Sequence, residues 1–90
     1  MQPMSRKILI IEDDRKLNDG IKIALKSDDY EFEQCGRLSD ARACLKAEGK
    51  DLILLDVNLP DGNGIDFLKE LRQYSQVPVI LITVNNMELD

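Results

Sequence analysis

The sequence predicts an α/β protein whose parallel sheet has strand order 2-1-3-4. Three features carry this reading. Short apolar, partly β-branched runs recur at Ile8-Leu9-Ile10-Ile11, Leu52-Ile53-Leu54-Leu55 and Val79-Ile80-Leu81-Ile82. Segments of helical periodicity alternate with them, and a further run, Tyr30 to Gln34, alternates apolar and polar residues with period two. Strands that alternate with single helices imply parallel neighbours joined by right-handed crossovers. The half-polar run belongs at an edge, so the chain steps outward from strand one to strand two and then reverses. Helix one then lies on one face of the sheet, and helices two and three lie on the other.

Each element has its own signal. Ile8 to Ile11 ends in acidic residues and is too short for an amphipathic helix, so it reads as a strand buried on both faces. Leu17, Ile21, Ala24 and Leu25 share a helical face, with Asp14 as N-cap. Tyr30 and Phe32 alternate with Glu31, Glu33 and Gln34 as the edge strand. Ser39 is placed to cap a second helix carrying Ala41, Cys44 and Leu45 and stopped by Gly49. Leu52 to Leu55 is the third strand. Asn63 or Gly64 opens a third helix carrying Ile65, Leu68 and Leu71, and Val79 to Ile82 follows Pro78 as the fourth strand.

Composition narrows the function. Ninety residues form one small domain, and a formal charge of -5 argues against a nucleic-acid surface, which needs clustered Lys and Arg. Cys35 and Cys44 lie in no metal-binding or redox motif, so reduced thiols and a cytoplasmic location are expected. No apolar run approaches the ~18 residues of a membrane span, and the N-terminus lacks the pattern of a signal peptide.

In open α/β sheets, ligands bind beyond the C-terminal strand ends where the winding reverses. Here that point lies between strands one and three, and the sequence puts Glu12, Asp13 and Asp14 after the first and Asp56 after the third. One acid at a strand end is usually a solvated loop residue, but a set at the switch point is not. Like charges ~4 Å apart repel by roughly 4 kcal/mol at an effective dielectric of about 20, so the cluster needs a cation or a proton. At least one carboxyl should have a raised pKa without metal. No Lys or Arg is expected close enough to balance the cluster. Hard oxygen ligands with room left for phosphate and water suit Mg²⁺.

Three motifs now resemble a known family in order: Ile8-Leu9-Ile10-Ile11-Glu12-Asp13-Asp14, Leu54-Leu55-Asp56-Val57-Asn58-Leu59-Pro60-Asp61-Gly62-Asn63-Gly64, and Leu81-Ile82-Thr83. The chain is similar to the receiver domains of bacterial two-component response regulators, whose sheet has flavodoxin-like topology. The middle motif is the specific one. The resemblance implies that Asp56 accepts a phosphoryl group from a sensor histidine kinase. It implies that Asp13, Asp56 and the backbone carbonyl of Asn58 bind Mg²⁺, that Glu12 holds the metal through water, and that Thr83 is the switch hydroxyl. It also implies a non-enzymatic signalling module whose intact protein switches an output, commonly transcription.

Receivers carry a further helix, a fifth strand ending in a Lys, and a last helix. Residues 1–90 therefore read as the N-terminal part of such a domain, with the fifth strand missing. Lys46, Lys50 and Lys69 are not placed to replace that Lys, and Val84 stands where a small residue is usual. Without cover, the fourth strand and half of one sheet face are expected to recruit a second copy, giving a homo-oligomer. A rival reading is a haloacid-dehalogenase-like phosphatase, which wants a second Asp where Asn58 stands. A non-phosphorylated adaptor of the same fold is another. An EF-hand fails, because Gly64 at the loop's central glycine puts Leu59 at its first ligand position.

Overall fold

The computed structural model of the chain describes residues 5–47 and 49–83. Val84 and the residues after it, on which the expectations about site access and edge cover fall, lie outside the described residues. The elements run β1 (Arg6–Ile11), α1 (Arg15–Leu25), β2 (Tyr30–Cys35), α2 (Leu38–Ala47), β3 (Leu52–Asp56), β4 (Asn58–Leu59), β5 (Gly62–Asn63), α3 (Gly64–Leu71) and β6 (Val79–Ile82). The main sheet has the order β2-β1-β3-β6 with every pair parallel, as predicted from the alternation of elements. β4 and β5 form a short antiparallel pair inside the segment read as a βα turn.

Alternation within β1 and β3 divides the core between the two faces. Leu9, Ile11, Ile53 and Leu55 point to one side and pack with Leu38, Ala41, Phe67 and Leu71 of α2 and α3. Ile8, Ile10 and Leu54 point to the other, where Ile21 of α1 joins Phe32, Leu52 and Ile82. The helices thus sit on the predicted faces, but α1 covers less than its apolar stripe suggests. Leu17 and Ile21 are half-buried, whereas Ala24 and Leu25 are exposed. A helix about 10 Å across cannot cover four strands spaced about 4.8 Å apart. Among the described residues this leaves Ile80, level with Leu54 on that face, 55% exposed, while Leu81, level with Leu55 on the opposite face, is 39% exposed.

Two helices differ in detail from the sequence reading. α2 starts at Leu38, so Ser39 lies inside its first turn and is not its cap. The capping carboxylate is Asp61, whose Oδ1 accepts from the Leu38 N–H at 2.7 Å and whose Oδ2 accepts from the Ser39 N–H at 3.0 Å. Those N–H groups hold the Asp61 carboxyl below its usual range. In α3, Asn63 is the cap, accepting from Ile65 and Asp66, and Gly64 is the first helical residue. That phase turns Phe67 and Leu71 inward, leaves Leu68 half-buried and exposes Ile65, so Phe67 replaces Ile65 on the inner face.

Both cysteines are free, half-buried and packed against the α2/α3 core. Burial, with Cys44 alongside, pushes the Cys35 thiol up to about 12. Lys50 has a buried side chain paired with Glu33. Among the described residues no helix is long and apolar enough to cross a membrane.

Candidate metal centre

Sheet register brings the acids together. Ile11 is paired with Leu55, so the next residues, Glu12 and Asp56, lie level at neighbouring strand ends, with Asp13 one step further. Carboxylate oxygens of Glu12, Asp13 and Asp56 all fall within 4.8 Å of one another. Glu12 and Asp56 are buried and Asp13 is exposed, so the group forms a rim with two sunken oxygens and an open side.

The hydrogen bonds leave ligand capacity free. Glu12 Oε2 accepts from the Asp14 N–H at 3.0 Å, while buried Glu12 Oε1 has no partner. Asp56 Oδ1 accepts a long bond, 3.3 Å, from the Asn58 N–H. An orphaned buried carboxylate oxygen facing two more carboxylates is costly alone and satisfied by a hard cation, so the residues fit a divalent metal. An open polar cavity of about 470 Å³ on the β2 side of the cluster is lined by Glu12, Asp13, Arg15 and Asp40, and not by Asp56. No ion pair between Arg15 and the three acids is seen among the described residues, and Arg15 does not figure among the charges that act on Glu12.

Burial pushes the Glu12 carboxyl up to about 7; it outweighs the Asp14 N–H, which favours the charged form, and the charges of Asp56 and Asp13 add to the rise. The unfolded carboxyl loses its proton near 4.5, and the folded one keeps it until about 7. The group's stabilising contribution is therefore complete below the unfolded value and gone above the folded one. We expect the metal-free chain to lose on the order of 3 kcal/mol of stability from this group between pH 4.5 and pH 7.5. Urea unfolding at both pH values checks it: Glu12→Gln should flatten the difference, and an unchanged slope in that variant would assign it elsewhere.

Gly64 sets the floor of the site. A Cβ there would lie 2.3 Å from the Asp56 carbonyl oxygen and 3.0 Å from Val57 Cα, and the Gly64 N–H donates to the Val57 carbonyl at 2.7 Å. Only a residue without Cβ lets α3 begin directly against the chain leaving Asp56. Gly64→Ala should cost about 1–3 kcal/mol by forced displacement of that backbone. Gly20, mid-helix in α1 with nothing near its Cβ position, provides the contrast: Gly20→Ala should stabilise by about 0.5–1 kcal/mol. Equal effects of the two variants in urea melts would contradict this difference.

The remaining sequence-predicted residues lie close by. Asn58 follows Asp56 by two residues and pairs with Asn63 across the β4–β5 hairpin. Thr83 is exposed and directly follows Ile82, the register partner of Asp56 on β6. Asn18 was missed. It is buried in α1, and the available signal was a polar side chain set among Ile21 and Leu25 on the stripe facing the sheet.

Known proteins share the sequence pattern and the fold of this chain. The family model described as "Response regulator receiver domain" matches residues 8–90. The transcriptional regulatory protein CpxR of Klebsiella pneumoniae is 44% identical over 84 residues, 93% of this chain and 36% of CpxR. The KDP operon transcriptional regulatory protein KdpE of Escherichia coli is 39% identical over 85 residues, 92% of this chain and 37% of KdpE. The chain thus spans little more than a third of these relatives. Among solved structures, the MaeR response regulator bound to beryllium trifluoride superposes with a TM-score of 0.77 at 39% identity, over 90% of this chain and 69% of that one. The non-phosphorylated HemR receiver domain of Leptospira biflexa gives 0.79 at 32% identity, over 90% and 66%.

Proposed function

The chain belongs to the response regulator receiver family, and from that premise we propose that Asp56 is its phosphoacceptor, served by Mg²⁺ at Glu12, Asp13 and Asp56. The observation that carries the reading is the orphaned buried oxygen of Glu12 inside a three-carboxylate cluster at the sheet's switch point. Asp13, Asp56 and the Asn58 carbonyl would hold the ion, with Glu12 reaching it through water. When bound, the ion would supply positive charge to offset the Asp56 carboxylate and an incoming phosphoryl group. A free Asp56 oxygen attacks phosphorus as the phosphorus–nitrogen bond to a kinase histidine breaks, and the Asn58 N–H holds the other oxygen in place. Thr83, at the end of the adjacent strand, supplies the hydroxyl that turns toward the new phosphoryl oxygens. MaeR with beryllium trifluoride, a tetrahedral group like phosphoryl, supports the class of ligand.

We read residues 1–90 as the N-terminal part of a receiver in a cytoplasmic two-component protein, with a sensor histidine kinase as partner. CpxR and KdpE support a transcriptional output for the whole protein. Exposed Ile80 of β6, with Leu25 on the same open face, supports self-association into a homo-oligomer, and the net charge of -5 supports a partner other than nucleic acid or an anionic membrane. Light scattering coupled to size exclusion checks this: mass above one chain is expected, and a sharp monomer at high concentration contradicts it.

The phosphoacceptor reading is tested by incubating the chain with a small acyl phosphate, with and without Mg²⁺. The expected result is a Mg²⁺-dependent gain of one phosphoryl mass, at most once per chain. Sustained release of inorganic phosphate over many turnovers would identify a phosphatase instead.

A further inference from the structure

β1 runs out of sheet just where the site begins. Its last rung to β2 is the Glu12 N–H donating to the Cys35 carbonyl at 2.9 Å, and the Glu12 carbonyl beyond it has no strand to accept from, because β2 ends at Cys35. Asn18, 5% exposed on α1, fills that place. Its Nδ2 donates to the Glu12 carbonyl at 2.9 Å and to the Cys35 carbonyl at 3.2 Å. Its Oδ1 accepts from Gln34 Nε2 at 2.7 Å, and the same Gln34 nitrogen also donates to Asp19 Oδ1 at 2.9 Å.

We infer that Asn18, held by Gln34, is a positioning residue that presets the carboxylates for Mg²⁺, an inference that rests on the metal reading above. The Glu12 carbonyl belongs to the peptide joining Glu12 to Asp13. Fixing that plane fixes the direction in which Asp13 leaves the backbone and the stem from which Glu12 turns inward. Without metal the three acids repel one another, and a loop free to rotate relaxes by swinging Asp13 away. An amide side chain suits this place because its two donors meet two carbonyls and its one acceptor meets Gln34. A carboxylate at position 18 has no donor, and an alkyl group has neither donor nor acceptor. The energy for assembling the site is thus spent in folding and not drawn from metal binding, which is how preorganisation raises affinity.

The test uses the 90-residue chain as wild type, Asn18→Leu, Asn18→Asp and Gln34→Ala, each studied by amide NMR without metal and then titrated with MgCl₂. Without metal, Asn18→Leu and Asn18→Asp are expected to move the Asp13 and Asp14 amides while the β3 amides stay in place. With metal, half-saturation should rise about tenfold for Asn18→Leu and less for Gln34→Ala. The extent of Asp56 phosphorylation at saturating Mg²⁺ should be restored in every variant, which a merely structural defect would not allow. Unmoved Asp13 amides, or wild-type half-saturation in Asn18→Leu, overturn the inference. Should Asn18→Leu fail to fold, Gln34→Ala, altered at an exposed position, decides it: a wild-type titration overturns the clamp. Failure of the wild type to bind Mg²⁺ counts against the metal reading, and the metal-free spectra still judge the clamp.

Discussion

Asp13→Asn is expected to abolish Mg²⁺ binding at millimolar concentrations while leaving the fold intact. Asp13 is exposed and takes no part in either core cluster, so its replacement removes no packing. It does remove a full negative charge from a group whose three ligand oxygens sit within 4.8 Å of one another. Losing one charged ligand of a divalent ion costs on the order of 3 kcal/mol, about a hundredfold in affinity. Amide shifts of residues 12–14 and 56–59 during a Mg²⁺ titration read it directly. Shifts in the variant matching the wild type would remove Asp13 from the metal site.

Phe67→Ala is expected to cost about 3–5 kcal/mol, enough to unfold much of a chain this small. Phe67 is 1% exposed, the largest side chain among those fully buried, and packs in the cluster that joins α2 and α3 to β1 and β3. The Arg42 guanidinium also lies over its ring, 5.5 Å from the centroid. Alanine would leave a cavity that neighbouring Leu9, Ile11 and Leu55, fixed in strands, cannot close. Ile65→Ala, one helical face away and 42% exposed, should cost less than about 1 kcal/mol. Urea midpoints of the two variants check the contrast, and similar losses would mean that the helix phase is wrong.

The phase of α3 also marks where sequence reading stops. Strand runs, strand order and faces were legible because apolar runs bounded by acids and turns admit few parallel topologies. The meeting of Glu12 and Asp56 followed from that topology alone, since both directly succeed paired strand residues. Ile65, Leu68 and Leu71 fit a helical stripe as well as Phe67 and Leu71 do. Only the start of the helix at Gly64, where the backbone of Asp56 crowds it, selects the second set. The cap of α2 was hidden for a similar reason: Ser39 is the local candidate, but the carboxylate that serves comes from Asp61 across the β4–β5 turn. Asn18 was hidden because its partners, Cys35 and Gln34, lie on a strand that meets α1 only after folding. Local periodicity reports which residues are apolar, while caps and clamps depend on what the fold brings alongside.

The most direct test of the central claim is chemical trapping of the acceptor. The chain is incubated with a small acyl phosphate and Mg²⁺, reduced with borohydride, which converts an aspartyl phosphate to homoserine, and sequenced by peptide mass spectrometry. Homoserine is expected at position 56 only, dependent on Mg²⁺ and absent from Asp56→Asn and Asp13→Asn. Reduction at another acid with Asp56 intact, or equal labelling without Mg²⁺, would contradict the assignment of Asp56 as a metal-assisted phosphoacceptor.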